Sequence, residues 1–407
     1  MALGGNNEAA SFAMISASSP DENDQPAAFA AGTLALTVSA ADAAALAQYR
    51  QDCRAARFMP AQSPGWIEAW VRHSPAECVV ARLSDGGQHV LSLALEIAAH
   101  GPLRIARFIG DRHANGNFPA TALTFDHTLA PRALAALVEG LRQQRPDIDL
   151  LALERQVHEA GGLRNPLAAW PNRPSPNVAL AVDLDGGFDA VLERASGKRK
   201  RKQYRAQARK LEAAGGYRRR RAASRAETDA MLDAFFAMKR QRFAKMGIHD
   251  VFGPEAVQQA FRTLFGDAAQ DARPAFVMHG LEVAGRLRAV TGSSRTGDRL
   301  ICEFSSITED ELSDISPGSF LFFENIEEAC GEGLAVYDFS VGDEYYKRLW
   351  CDLETIQFDT FVPLTAKGHL LAVARAGIAG AKRHINNSPR LWNAAKWLRR
   401  KLAFLRS

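Results

Sequence analysis

Residues 299 to 339 read RLICEFSSITEDELSDISPGSFLFFENIEEACGEGLAVYDF. Arg299–Ser306 alternates apolar and polar side chains, the period of a half-buried strand. A polar loop follows. Ser316-Pro317 then opens a helix, with proline at a first-turn position where its missing N–H costs nothing. Phe320, Leu321, Phe323, Ile326 and Cys330 recur at helical spacing up to Gly331-Glu332-Gly333, and Leu334–Phe339 returns to strand. Upstream, Ala275–Leu281 and Arg286–Ser293 read as two strands, joined to each other and to Arg299–Ser306 by the turns 282–285 and 296–298. Downstream, Glu354–Val362 alternates again. A three-strand meander thus leads into a strand–helix–strand crossover. The order predicts an α/β fold with a mixed sheet, not a doubly wound one.

Working outward, residues 196–214 (SGKRKRKQYRAQARKLEAA) predict a basic helix with a thin apolar stripe, Tyr204, Ala208 and Leu211, stopped at Gly215-Gly216. Ser224 and Glu227 form a capping-box pattern before a helix that carries Met231, Leu232, Phe235, Phe236, Phe243 and Met246 and stops at Gly247. Another helix starts at Pro254. Before these, helices are expected over 40–53, 64–73 and 131–144, and strands near 34–38, 77–82, 90–97, 103–109 and 149–153. The stretch NPLAAWPNRPSPN, 165–177, reads as a proline-rich linker. The division expected is a disordered tail over 1–31, a first lobe over 32–177, a second over 178–365, and a basic amphipathic helical tail over 366–407.

The 407 residues suit two domains, and 47% apolar composition suffices for sizeable cores. No apolar run is long enough to span a bilayer, and the first 30 residues lack the pattern of a signal peptide. Five scattered cysteines without a C-x-x-C pair point to reduced thiols and no metal. A cytoplasmic protein, peripheral at the inner membrane face through its tail, is the expectation. The net charge of +4 hides a strong asymmetry: 194–225 carry +13, 360–407 carry +10, and the rest sums to −19. Such segregation calls for an anionic partner of the 196–214 helix. With few aromatic residues interleaved for stacking, sequence-specific nucleic-acid recognition is not expected. LWNAAKWLRRKLAFLRS, from 391, has the pattern of an interfacial helix, so 391–406 are read as a membrane-surface contact or as packing on the acidic body.

Within the opening stretch, Glu303 is an acid inside an apolar strand: a carboxylate on the wet face, or a general base with a raised pKa. Ser316-Pro317-Gly318-Ser319 is a plain helix start, or a small-residue helix N-terminus that receives a phosphate. Beyond it, YDFSVGDEYYKRLW (337–350) gathers acids, tyrosines and cations around Gly342. His113, in the loop GDRHANGNFP, reads as solvated.

The strand order resembles the Gcn5-related N-acetyltransferase (GNAT) fold. The segments SGKRKRKQYRAQARKLEAAGG, AFFAMKRQRFAKMGIHDVFG, EVAGRLRAV, SPGSFLFFENIEEACGEG and YDFSVGDEYYKRLW resemble more closely its BioF2-like acetyltransferase domain, found in CelD/BcsL-type proteins associated with cellulose and exopolysaccharide production. The first lobe resembles that family's N-terminal part, and the whole plan is distantly similar to Fem-type transferases. The fold's usual pyrophosphate signature, Arg/Gln-x-x-Gly-x-Gly/Ala, is replaced here by Ser313–Ser319, with one glycine and neither Arg nor Gln.

The resemblance implies two GNAT-like lobes and an acyltransferase that uses acetyl-CoA or another acyl-CoA to modify a small-molecule or saccharide acceptor, without a metal. It implies Ser316, Pro317, Gly318 and Ser319 at the cofactor. It places Glu303, Asp338, Asp343, Tyr346 and Lys347 as candidate catalytic groups: Asp343 or Glu303 as base, Tyr346 as proton donor, Lys347 toward a phosphate or oxyanion. Two alternatives remain open: a Fem-like transferase that takes aminoacyl-tRNA, and a non-catalytic accessory of a membrane polysaccharide machine.

Overall fold

Two strands that leave their own halves of the chain hold this protein together. The computed structural model describes residues 34–386; the expected tail 1–31 and the segment 391–406 lie outside them. The strands are β1 (Leu34–Ala40), β2 (Glu77–Asp85), β3 (Gln88–His100), β4 (Leu103–Phe108), β5 (Leu150–Gln156), β6 (Arg173–Asp183), β7 (Tyr217–Arg221), β8 (Phe276–Val283), β9 (Arg286–Thr296), β10 (Arg299–Ile307), β11 (Val336–Val341) and β12 (Leu353–Pro363). They lie in the order β1-β2-β3-β4-β5-β12-β6-β11-β10-β9-β8-β7. The helices are α1 (Ala43–Cys53), α2 (Pro64–His73), α3 (Ala130–Gln144), α4 (Gly187–Arg194), α5 (Gly197–Ala213), α6 (Arg225–Met246), α7 (Glu255–Ala268), α8 (Pro317–Gly331), α9 (Tyr345–Arg348) and α10 (Ala366–Asn386).

The order is symmetric about its centre. On each side, four antiparallel strands end in a parallel pair, β4–β5 or β10–β11, bridged by a helix, α3 or α8. The fold is mixed α/β, as the strand order predicts, and its two halves repeat one arrangement. The parallel strands then exchange partners: β6, which leaves the first lobe, pairs with β11 of the second, and β12, which leaves the second, pairs with β5 of the first. β6 and β12 also pair with each other, so the two halves share one sheet.

The proline-rich linker is therefore partly a central strand. Arg173 and Pro174 already pair with Asp359 and Phe358, and the register slips before Val178 meets Ile356. Proline is tolerated in a sheet where the ladder is interrupted. Sequence reasoning also left Tyr217–Arg221 without structure, since four consecutive arginines do not look like a strand. They form edge strand β7. Arg219 reaches Glu328 and the Asn325 Oδ1, Arg221 reaches Glu332, and Arg220 reaches Glu227 and Glu282. Charges along an edge also discourage further strand addition.

Helix α5 shows its expected stripe. Lys200, Gln207 and Leu211 are buried, and the Tyr204 ring stacks on Phe323 at 4.1 Å and Phe320 at 4.7 Å. Opposite them, Lys198, Arg199, Lys202, Arg205, Arg209 and Lys210 have no ion-pair partner among the described residues. Across the sheet, Phe235, Phe252, Phe261, Phe265 and Phe304 interlock, and Phe304 lies over the backbone of Gly292 on the neighbouring strand. A Cβ at Gly292 would sit 2.1 Å from the Phe304 ring. Gly292→Ala is expected to cost about 1–3 kcal/mol of stability by overpacking, read as a lower urea midpoint at unchanged slope.

Candidate active site

The ladder between β9 and β10 contains one irregularity. Ser293 faces Cys302 and Gly292 faces Phe304, which leaves Glu303 as an extra residue. A β-bulge of this kind bends its strand and re-aims a side chain. Here β10 keeps parallel contact with β11 only over Arg299–Ile301 before the two strands part. Glu303 and Phe304 both line a cavity of about 280 Å³. The rest of its wall comes from Arg112, His113 and Asn115 of the first lobe and from Val251, Phe252 and Phe261 around the α6–α7 connection.

Burial pushes the Glu303 carboxyl up to about 8, with the Ser294 hydroxyl, donating at 2.5 Å, pulling it back and Asp338 adding to the rise. The residue is half-buried, with the Ser294 hydroxyl as its hydrogen-bond donor. A second cavity, about 370 Å³, lies between the lobes and shares the Asn115 wall. Arg57, His158, Arg299, Asp338 and Gln357 line it. Gln357 is buried, and its Oε1 has no hydrogen-bond partner among the described residues.

The loop that faces Glu303 is held from the sheet centre. Buried Asp359 of β12 accepts the Arg155 backbone N–H at 2.8 Å and the Ser175 hydroxyl at 2.5 Å, and so ties β5, β12 and β6 together. Arg155 adopts a left-handed backbone, φ +55°. Its guanidinium donates to the carbonyls of Asp111 and Arg112, at 2.6 and 2.7 Å, and to Asn115 Oδ1 at 3.0 Å. His113 is not the solvated loop residue expected. It packs against Trp70, Phe252 and Phe261, bonds the Val251 carbonyl through Nε2 at 3.1 Å, and is pushed down to about 4 by burial, hence neutral. It braces one lobe against the other.

The other sequence candidates separate. Asp338 lines the larger cavity, with its carboxylate taken by Arg299 at 2.8 Å and by the Ser340 N–H at 2.7 Å. Asp343 is exposed and ion-paired to Arg348 at 2.5 Å, which holds its carboxyl below the usual range. Lys347 is buried and donates to Val341 O at 2.9 Å and Ser340 O at 3.4 Å, with Glu344 at 2.9 Å. All of its donors are engaged along the end of β11, where the strands part. Tyr346 stacks on Phe322, and its phenol is raised well above the usual value, chiefly by desolvation.

At the start of α8, Ser316 caps in a left-handed conformation, φ +62°. Pro317 has no N–H, while Ser319 and Phe320 donate to Ser316 O at 3.0 and 3.2 Å. The Gly318 amide is left without a partner among the described residues, at the positive end of the helix. A Cβ on Gly318 would stand 2.7 Å from Ile307, so this glycine also lets α8 approach β10.

Lys239 escaped sequence reasoning. Its ammonium lies 5.5–5.7 Å from the Phe235, Phe243 and Phe252 rings, and burial lowers its pKa to about 8. The signal was present: Leu232, Phe235, Phe236, Lys239 and Phe243 share one helical face, so a lysine interrupts an apolar stripe. Among the described residues, no cluster of three or more His, Cys, Asp or Glu is placed to hold a metal ion.

Arg155→Met removes three hydrogen bonds to the 111–115 loop while keeping the aliphatic stem. It is expected to destabilise the protein by about 1–3 kcal/mol and to speed amide hydrogen exchange in residues 111–116 more than in β8–β9.

Residues 198–348 match the acetyltransferase (GNAT) domain family. No curated protein matches the chain. Among solved structures, FemX superposes with a TM-score of 0.56 at 11% identity, over 83% of this chain and 100% of that one. The C-terminal domain of a putative lysylphosphatidylglycerol synthetase from Agrobacterium fabrum gives 0.49 at 12%, over 82% and 96%. A tandem GNAT protein from the clavulanic acid biosynthesis pathway gives 0.46 at 13%, over 82% and 99%. Residues 198–348 thus resemble an acetyltransferase (GNAT) domain, set within a fold that the chain shares with FemX.

Proposed function

We propose that this acyltransferase moves an acyl group from an acyl-CoA thioester to an amine or hydroxyl of a saccharide or other cell-envelope acceptor, with Glu303 as the base. The observation that carries this reading is the Glu303 carboxyl, lifted out of the β9–β10 ladder by a bulge and raised to about 8 inside the cavity between the lobes. A base whose pKa lies near the working pH is best matched to proton transfer. Deprotonating a lysine-type amine at neutral pH would otherwise cost about 4–5 kcal/mol. The BioF2-like resemblance supports a place in cellulose or exopolysaccharide production.

In this reading the acceptor binds between the lobes. Glu303 takes its proton as the acceptor nitrogen or oxygen bonds to the acyl carbon. The carbon–sulfur bond then breaks, and the Tyr346 phenol, protonated at neutral pH, supplies a proton to the departing thiolate and regains one from solvent. The phosphate end of the donor would meet the free Gly318 amide at the α8 N-terminus. Lys347 positions the end of β11 through its carbonyls.

A second reading, a Fem-like transferase fed by aminoacyl-tRNA, is favoured by the six cations of α5 that have no ion-pair partner among the described residues. Nucleic acid that co-purifies with the chain and dissociates in salt would support it.

Glu303→Gln is expected to lower kcat by about 10²–10⁴-fold, with acetyl-CoA binding by calorimetry unchanged. Wild-type activity should rise with pH through about 8, as the carboxyl ionises. Stability should move the other way. A carboxyl whose pKa is raised on folding favours the folded state at low pH, and that contribution is lost as pH rises from about 5 to about 8; the Gln variant should show a flatter stability profile. Full activity in the variant, or no acetyl-CoA binding in the wild type, would overturn the reading.

A further inference from the structure

Helix α10 is apolar on the wrong side. Its inner face docks on the sheet through Gly368, Leu371 and Ala372, beside Ile105, Leu150, Ala152 and Phe361. The approach is close: a Cβ on Gly368 would fall 1.7 Å from the Asp149 carbonyl oxygen. A helix that only covers a sheet carries polar residues outward. Here the outward residues from 370 to 381 include Leu370, Val373, Ala374, Ile378 and Ala381, and no charged side chain stands among the exposed ones. Leu370 is 76% exposed, Val373 64% and Ile378 57%. Offsets of three and eight residues place these three on one face.

The segment that carries this helix and continues from it is strongly basic: residues 360–407 hold ten Lys or Arg and no Asp or Glu. Charge segregated in this way favours an anionic partner. An anionic bilayer offers an apolar layer beneath a negative surface, and each basic side chain near that surface adds attraction. Among the described residues no helix is long and apolar enough to cross a membrane. We infer that the outer face of α10, through Leu370, Val373 and Ile378, docks this protein on an anionic lipid surface. The inference is independent of the acyl-transfer reading.

The test is co-sedimentation of the full chain with vesicles of phosphatidylcholine and phosphatidylglycerol at about 3:1 and with pure phosphatidylcholine. Binding is expected to the anionic vesicles, weaker to the neutral ones, and reduced by added salt. The triple variant L370Q/V373Q/I378Q should bind the anionic vesicles at least ~10-fold more weakly. All three side chains are exposed, so its melting temperature and circular dichroism should match the wild type. A wild type that ignores anionic vesicles, or a folded triple variant that binds them as well as wild type does, would overturn the inference. So would a triple variant whose only change is from dimer to monomer in sedimentation velocity, which would assign the face to a second copy.

Discussion

One buried carboxylate lies where three strands meet. Asp359 binds the Arg155 amide of β5 and the Ser175 hydroxyl of β6 from its own place on β12. Those are the strands through which the two halves exchange partners. Without that junction the sheet is two four-stranded meanders, each with a parallel pair at its edge and no reason to keep a fixed crevice between them. With it, the left-handed Arg155 turns its guanidinium onto the 111–115 loop, and that loop becomes the wall opposite Glu303. The chemistry of the cavity thus depends on a contact made in the middle of the sheet. An unpaired buried carboxylate would cost several kcal/mol, so the junction has little tolerance for partial formation.

The bulge at Glu303 works on the same principle at smaller scale. One extra residue in β10 turns its carboxyl toward the first lobe and ends the pairing with β11. Lys347 of the short helix α9 then holds the carbonyls at the end of β11, on one side of the opening.

The order of strands and helices was legible because it rests on hydrophobic period, which is local. The crossover from 299 to 339 reads directly from alternation, a Ser-Pro start and a Gly-Glu-Gly stop. What was not legible depends on partners far along the chain. The arginines of β7 look like a loop until Glu282, Glu328 and Glu332 are placed beside them. The prolines before Val178 look like a linker because the strand they join is donated by residues 353–363. The same limit applies to the site. Glu303 was a candidate from its apolar surroundings, but its aim into a cavity follows from a register slip that no local pattern reveals. Asp343, adjacent in sequence to plausible catalytic groups, lies on the surface beside Arg348. Lys239 shows in the sequence as a lysine on an apolar stripe, but the Phe252 ring beside its ammonium comes from beyond the helix and is not local.

The strand exchange has an evolutionary and mechanical side. A duplicated module that keeps its last strand can drift from its twin, swing about a linker, or be lost without harm to the other copy. Here each half completes its parallel edge with a strand from the other's end, β12 beside β5 and β6 beside β11. Neither lobe can be excised with its sheet intact, and a hinge between them would require breaking ladder hydrogen bonds. Any closing motion over the cavities must therefore come from loops such as 111–116 and 247–254, while the halves themselves turn as one body.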